Sequence, residues 1–239
     1  MAVDQPPDQQ TAPAAPRWGL PDAALCFLAG FVASNLAVAV AAGVAGTDSL
    51  VFIASGLIGL WVGLVGSMVA VARSKGTGSL AADFGLRFER THDLIGLPIG
   101  VAVQVVIVRV VYVPLTPFVH DLSERLEAPA RDLSRQAGKG VGLFVLGVLV
   151  VAGAPVVEEL FYRGMLLRAV RRRFGANVAI GASALVFAGA HFEAIQFPAL
   201  LVLGLVLGWL AVRYDRLGPS IFAHAAFNAV TMAVLVATR

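Results

Sequence analysis

Apolar residues run along this chain in long stretches broken by short polar segments, not in the strict alternation of a half-buried strand. A stretch of about 17–25 such residues crosses the roughly 30 Å hydrocarbon core of a bilayer as a helix. Seven are predicted, at Leu20–Ala45, Leu50–Ala72, Leu94–Val119, Val141–Leu167, Asn177–Phe192, Phe197–Val212 and Leu217–Ala237. The fifth and sixth are short, which sets the expectation at about seven spans, six to eight. Backbone groups in lipid must be satisfied within the segment or in a closed sheet, and these runs are too long for barrel strands. The expected fold class is all-α, a polytopic transmembrane helix bundle. No internal repeat is visible.

Residues 1–17, MAVDQPPDQQTAPAAPR, are rich in Pro, Gln and Ala and lack the compact basic start of a secretory signal, so they read as a disordered N-terminal tail. The run after them is longer than a signal's hydrophobic region and is expected to stay in the membrane as an anchor. The chain then divides into N-terminal spans with an interfacial segment at 18–140 and a core at 141–239. Within the first part, Ser79–Asp93 alternates apolar and charged residues and reads equally as an interfacial segment or a plain connection. His120–Lys139 is expected to be a loop in which Arg125, Arg131, Arg135 and Lys139 are matched by Asp121, Glu124, Glu127 and Asp132.

Charge placement gives an orientation. Gly46–Ser49 has no basic residue, whereas Arg73, Lys75, Arg87 and Arg90 follow span two, and Arg168, Arg171, Arg172 and Arg173 follow span four. These ends should face the cytoplasm, with Arg213 and Arg216 on the same side. Strict alternation then puts the N-terminus inside and the C-terminus outside. Composition agrees with a membrane location: 58% of the 239 residues are hydrophobic and only 14% charged, too few to coat a water-soluble globule. The net charge of +3 does not signal nucleic acid, because Lys and Arg fall between the apolar runs. The single cysteine, Cys26, allows neither an internal disulfide nor a Cys-based metal site. The expected location is the plasma membrane of a prokaryote.

Ionisable residues inside spans are expensive and usually functional. They are Glu158, Glu159, Arg163, His191 and His224; Arg109 is expected to snorkel to the far interface instead. At helical rise Glu158 lies about 22 Å from the basic end marked by Arg173, and His191 about 21 Å from the same end marked by Asn177. His224 is about 12 Å and Asn228 about 18 Å beyond Arg216. Three helices therefore bring Glu, His, and His with Asn to one layer. Glu159 and Arg163, four apart with the acid leading, form an ion pair on one face. Glu158 is expected to point about 100° away, free to act. Pro155, one turn earlier, should loosen the backbone and free a carbonyl. Any one of these residues could be helix glue or a satisfied core group. Their convergence at one depth argues for a site.

EELFYR at Glu158–Arg163, FAGAH at Phe187–His191 and HAAFN at His224–Asn228 resemble the motifs EExxxR, FxxxH and HxxxN. These define the CAAX-protease and bacteriocin-processing (CPBP, or Abi) family, which includes the Ras-converting CAAX endoprotease. The resemblance covers roughly Val141 to Ala237 and implies that 141–239 is a CAAX-protease-like catalytic core, an intramembrane endopeptidase acting on a membrane-associated or exported peptide. It implies Glu158 as general base, His191 holding water, and His224 with Asn228 stabilising the oxyanion. A zinc mechanism stays open, with Glu158, His191 and His224 as ligands and water in the fourth place. The expected partners are the lipid bilayer and the peptide substrate. The competing functions are a non-catalytic membrane scaffold or immunity protein, or a small-solute transporter, though the related halves of a transporter are not seen. HExxH and GxGD are missing, and Gly181–Ala184 reads GASA where a rhomboid needs GxSG.

Overall fold

The computed structural model describes residues 16–237, so residues 1–15 of the expected tail lie outside the described residues. Arg17 is already anchored, its N–H donating to the Lys75 carbonyl at 2.8 Å. Among the described residues the chain is helical, with no strand. The helices are α1 (Leu20–Ala45), α2 (Leu50–Lys75), α3 (Leu80–Phe84), α4 (Asp93–Leu115), α5 (Leu122–Ala137), α6 (Val141–Phe174), α7 (Ala176–Gly189), α8 (Phe197–Tyr214) and α9 (Gly218–Ala237). Six of them are long and apolar enough to cross a membrane, and α7, with 14 residues, is a shorter apolar helix. The protein is an integral, multi-pass membrane protein built as a bundle of about seven spans.

Small residues set how closely the helices approach. A Cβ added at Gly63 would lie 2.6 Å from the Ala29 carbonyl, and one at Gly59 2.7 Å from that of Ala33, so α1 and α2 touch backbone to backbone. Lipid tails provide no hydrophobic drive between helices, and such contact gains its stability from dispersion. Deeper in the bundle Gly204 of α8 meets Ala184 of α7 in the same way.

The basic ends gather on one face, held by ion pairs between different helices. Asp215, in the left-handed conformation that ends α8, takes Arg171 at 3.3 Å, Arg168 at 3.4 Å and Arg87 at 4.0 Å. Arg216 bonds Asp93 at 2.8 Å and Glu89 at 3.1 Å. Lys75 bonds Asp22 at 2.6 Å, and Arg172 lies 3.8 Å over the Trp18 ring. The ends of α2, α6 and α8 and the starts of α1, α4 and α9 thus share one boundary, which is the premise of the depth argument. The opposite face carries α5 and the turn after α7, joined to α4 by the Tyr112 hydroxyl donating to the Ile195 carbonyl at 2.6 Å.

Two segments depart from expectation. The region 120–139 is the amphipathic helix α5, not a loop. Leu122, Leu126, Ala130, Leu133 and Ala137 fall on one face, while Arg131 pairs with Glu127 and Arg135 with Asp132 on the surface. The segment after α2 has only the one-turn α3, ended by Gly85 at φ 74, whose carbonyl accepts the Leu217 N–H at 2.9 Å. Arg109 is exposed and stays apart from the buried polar residues.

The shared boundary has a direct check. Single cysteines at the exposed positions Arg73, Arg173 and Arg213, in a Cys26→Ala background, should react with an impermeant thiol reagent from one side of sealed vesicles. A cysteine at Lys139 should react only from the other. Labelling of Arg173→Cys and Arg213→Cys from opposite sides would refute the arrangement.

Candidate active site

Helix α6 is α-helical at Ala154–Glu159 and widened into π turns on both sides, at Leu149–Gly153 and Leu160–Leu167. Pro155 has no N–H and its ring crowds the carbonyl four residues back, which favours a wider register. Ala154 accordingly donates to Leu149, five residues back. This locally irregular helix carries both glutamates and the arginine.

Glu159 and Arg163 are completely buried, and the Arg163 Nη1 donates to Glu159 Oε1 at 2.9 Å. The same carboxylate oxygen lies 3.0 Å from His224 Nδ1 on α9. Arg163 Nη2 donates to the Gly204 carbonyl on α8 at 3.1 Å, and its guanidinium lies 4.5 Å above the ring of Phe187 on α7. One ion pair therefore ties together four helices. A carboxylate beside a guanidinium only accepts, so Nδ1 of His224 carries a proton.

Nε2 of His224 faces Glu158, whose Oε2 is 3.9 Å away. Glu158 shares its neighbour's cluster: the two carboxylates address opposite nitrogens of one imidazole. Its Oε2 is buried without a hydrogen-bond partner, yet 17% of the side chain is open.

His191 lies just past the end of α7, in a turn, not within the helix as its spacing suggested. Its Nδ1 is 2.8 Å from the Phe187 carbonyl, one of the carbonyls left open at a helix end. A carbonyl only accepts, so Nδ1 of His191 carries a proton and Nε2 remains unbonded to it. Phe187 stands edge-on between the two imidazoles, 4.7 Å from His191 and 5.6 Å from His224 by ring centroids. Asn228, one turn beyond His224, donates Nδ2 to the Val150 carbonyl at 2.9 Å.

Residues 140–230 match the family model described as type II CAAX prenyl endopeptidase Rce1-like. Over this segment the chain is similar to the CPBP/CAAX-protease family. No curated protein and no solved structure matches the chain. This match supports a CAAX-type intramembrane endopeptidase, with a lipid bilayer around it and a peptide as substrate.

All three motifs of the CAAX-protease family lie inside the matched segment, and the structure brings Glu158, Glu159, Arg163, His191 and His224 together around Phe187. The contacts described for Asn228 run to the backbone of α6. The donors of the zinc alternative do not assemble as placed: among the described residues no three His, Cys, Asp or Glu side chains form a metal-binding group. Each imidazole is bonded through Nδ1, His224 to Glu159 and His191 to Phe187, the arrangement that a histidine ligating through Nε2 would also have. Ser183, the residue at the rhomboid-like position, donates its hydroxyl to the Tyr162 carbonyl and is buried. Sequence reasoning gave Phe187 no role of its own and had no means of finding Gly204 or Val150, which take part through backbone carbonyls.

The shared carboxylate makes a stability prediction. Glu159→Gln leaves Arg163 buried without a counter-charge and should cost about 3–5 kcal/mol, read as a clear fall in thermal midpoint in detergent. Glu158→Gln should change the midpoint little. Equal midpoints for the two variants would show that Glu159 does not hold the bundle.

Proposed function

We propose that the protein hydrolyses a peptide bond within the membrane by activating water at Glu158. The observation that carries this reading is the facing pair of Glu158 Oε2 and His224 Nε2, 3.9 Å apart, buried yet open along the rest of the glutamate side chain. A water donating one proton to Glu158 Oε2 and the other to His191 Nε2 is held where its proton passes to a carboxylate.

In the proposed reaction Glu158 takes a proton from that water, and the resulting hydroxide forms a bond to the scissile carbonyl carbon. The carbonyl electron pair moves onto oxygen, giving a tetrahedral oxyanion. When the C–N bond breaks, the pair returns to the carbonyl and Glu158 delivers its proton to the leaving amine, regenerating the carboxylate. His191, fixed through Nδ1, orients the water with Nε2. His224, held through Nδ1 by Glu159, and the second N–H of Asn228 are the contacts proposed for the oxyanion. Glu159 and Arg163 act through His224 as positioning residues.

The surroundings support a peptide as substrate. A cavity of about 250 Å³ between α4, α5 and α9, lined by Gln104, Tyr112, Leu126, Phe227 and Thr231 among others, adjoins a smaller one of about 70 Å³ on which Asn228 opens; the two share Ala130, Thr231 and Leu235. Mainly apolar walls with a few polar groups suit a segment taken from lipid. A scaffold or immunity role would leave the orphaned Glu158 oxygen unexplained.

Comparison of membrane proteomes with wild-type protein and with Glu158→Gln should reveal a peptide cut only by the former, while the variant accumulates and folds normally. Near-wild-type cleavage by Glu158→Gln would remove that residue from the chemistry. Against the substrate so found, exhaustively chelated protein should retain its activity. Loss of activity that zinc restores would overturn the direct-water reading in favour of a metal.

A further inference from the structure

We infer that Asn228 supplies the hydrogen-bond donor that Pro155 withholds, and so positions the glutamate-bearing segment of α6 against α9. The backbone register makes the case. Ala154 N–H reaches five residues back to the Leu149 carbonyl, the last bond of the π turn. The next N–H in that register belongs to residue 155 and falls on the carbonyl of Val150. Residue 155 is proline, with no N–H to give. An unpaired carbonyl away from water is costly, most of all inside a membrane. Asn228 Nδ2 donates to that same Val150 carbonyl at 2.9 Å, across 78 positions of sequence.

The geometry gives this bond a positional consequence. Asn228 and His224 are one turn apart and share a face of α9. The bond to Val150 fixes that face at one end of the Pro155 segment, and the His224 bond to Glu159 fixes it at the other. Glu158 lies between these two attachments along α6. Rotation of the segment about its axis, which would carry Oε2 away from His224 Nε2, breaks the Val150 bond. The amide's remaining N–H is left for the site, so the positioning role stands alongside the proposed oxyanion contact. The catalytic part of this inference rests on the hydrolase reading above; the hydrogen-bond part does not.

A double-mutant cycle tests it on the full chain in detergent, with thermal midpoints of wild type, Pro155→Ala, Asn228→Ala and the double variant. Asn228→Ala should lower the midpoint by about 2–6 °C in the wild-type background. In the Pro155→Ala background, where residue 155 can satisfy the carbonyl itself, most of that loss should vanish. Equal losses in the two backgrounds would overturn the inference, whether or not the protein is a protease. Should Pro155→Ala fail to fold, Asn228→Asp at pH 8 decides instead, because a carboxylate cannot donate to a carbonyl: an Asp variant as stable as wild type overturns the inference, and one as unstable as Ala upholds it. Turnover of the peptide that Glu158→Gln leaves uncut, measured well below all midpoints, separates positioning from simple support. Asn228→Ala should lower kcat with KM little changed, and Pro155→Ala should restore at least part of it. A kcat that stays equally depressed in both backgrounds, although stability is rescued, would limit Asn228 to the oxyanion and overturn the positioning role.

Discussion

The bundle's interior depends on the single carboxylate of Glu159. A guanidinium in the hydrocarbon region is tolerated only with a counter-charge and enough acceptors, and Glu159 with the Gly204 carbonyl provides both for Arg163. The same oxygen then holds His224 by Nδ1. Charge neutralisation, helix docking and imidazole orientation are thus one arrangement, and none of the three can be altered separately.

The helix that carries this carboxylate is not a regular rod. Its π turns leave carbonyls that regular geometry would have consumed, and neighbouring helices answer them: Ser183 of α7 bonds the Tyr162 carbonyl, and Asn228 of α9 bonds that of Val150. Close approach makes this possible, as where Gly204 lies against Ala184. A larger residue at Gly204 would push the Arg163 acceptor out of reach. Local irregularity and tight packing therefore require each other, and the side chains between them are left few alternative positions.

Much of the architecture was legible in the chain because lipid permits so few structures. Hydropathy alone located the spans, and the common end of Arg168–Arg173 and Arg216 made depth calculable. The pairing of Glu159 with Arg163 followed from an i,i+4 spacing. What escaped has a common cause: it depended on register or on backbone atoms. Regular 3.6-residue phase turned Glu158 away from the Glu159 cluster, whereas the two side chains reach opposite nitrogens of the same imidazole from adjacent positions. His191 was placed inside a helix that in fact ends at Gly189. The amphipathic α5 was hidden because its charges were counted and its leucine spacing was not. Gly204 and Val150 contribute only carbonyls, which every residue possesses.

The π turns of α6 also set where this sequence can change length. Adding or removing one residue in a helix rotates everything beyond it by about 100°. Between Leu149 and Leu167 such a change would exchange the residues facing α9 for those facing lipid, while Gly46–Ser49 connects α1 and α2 on the surface and can absorb an insertion. Substitutions and indels thus sample different constraints here. A variant library built on length would show a sharply bounded intolerant stretch of α6, wider than any of its motifs, because the number of residues per turn is itself part of the site.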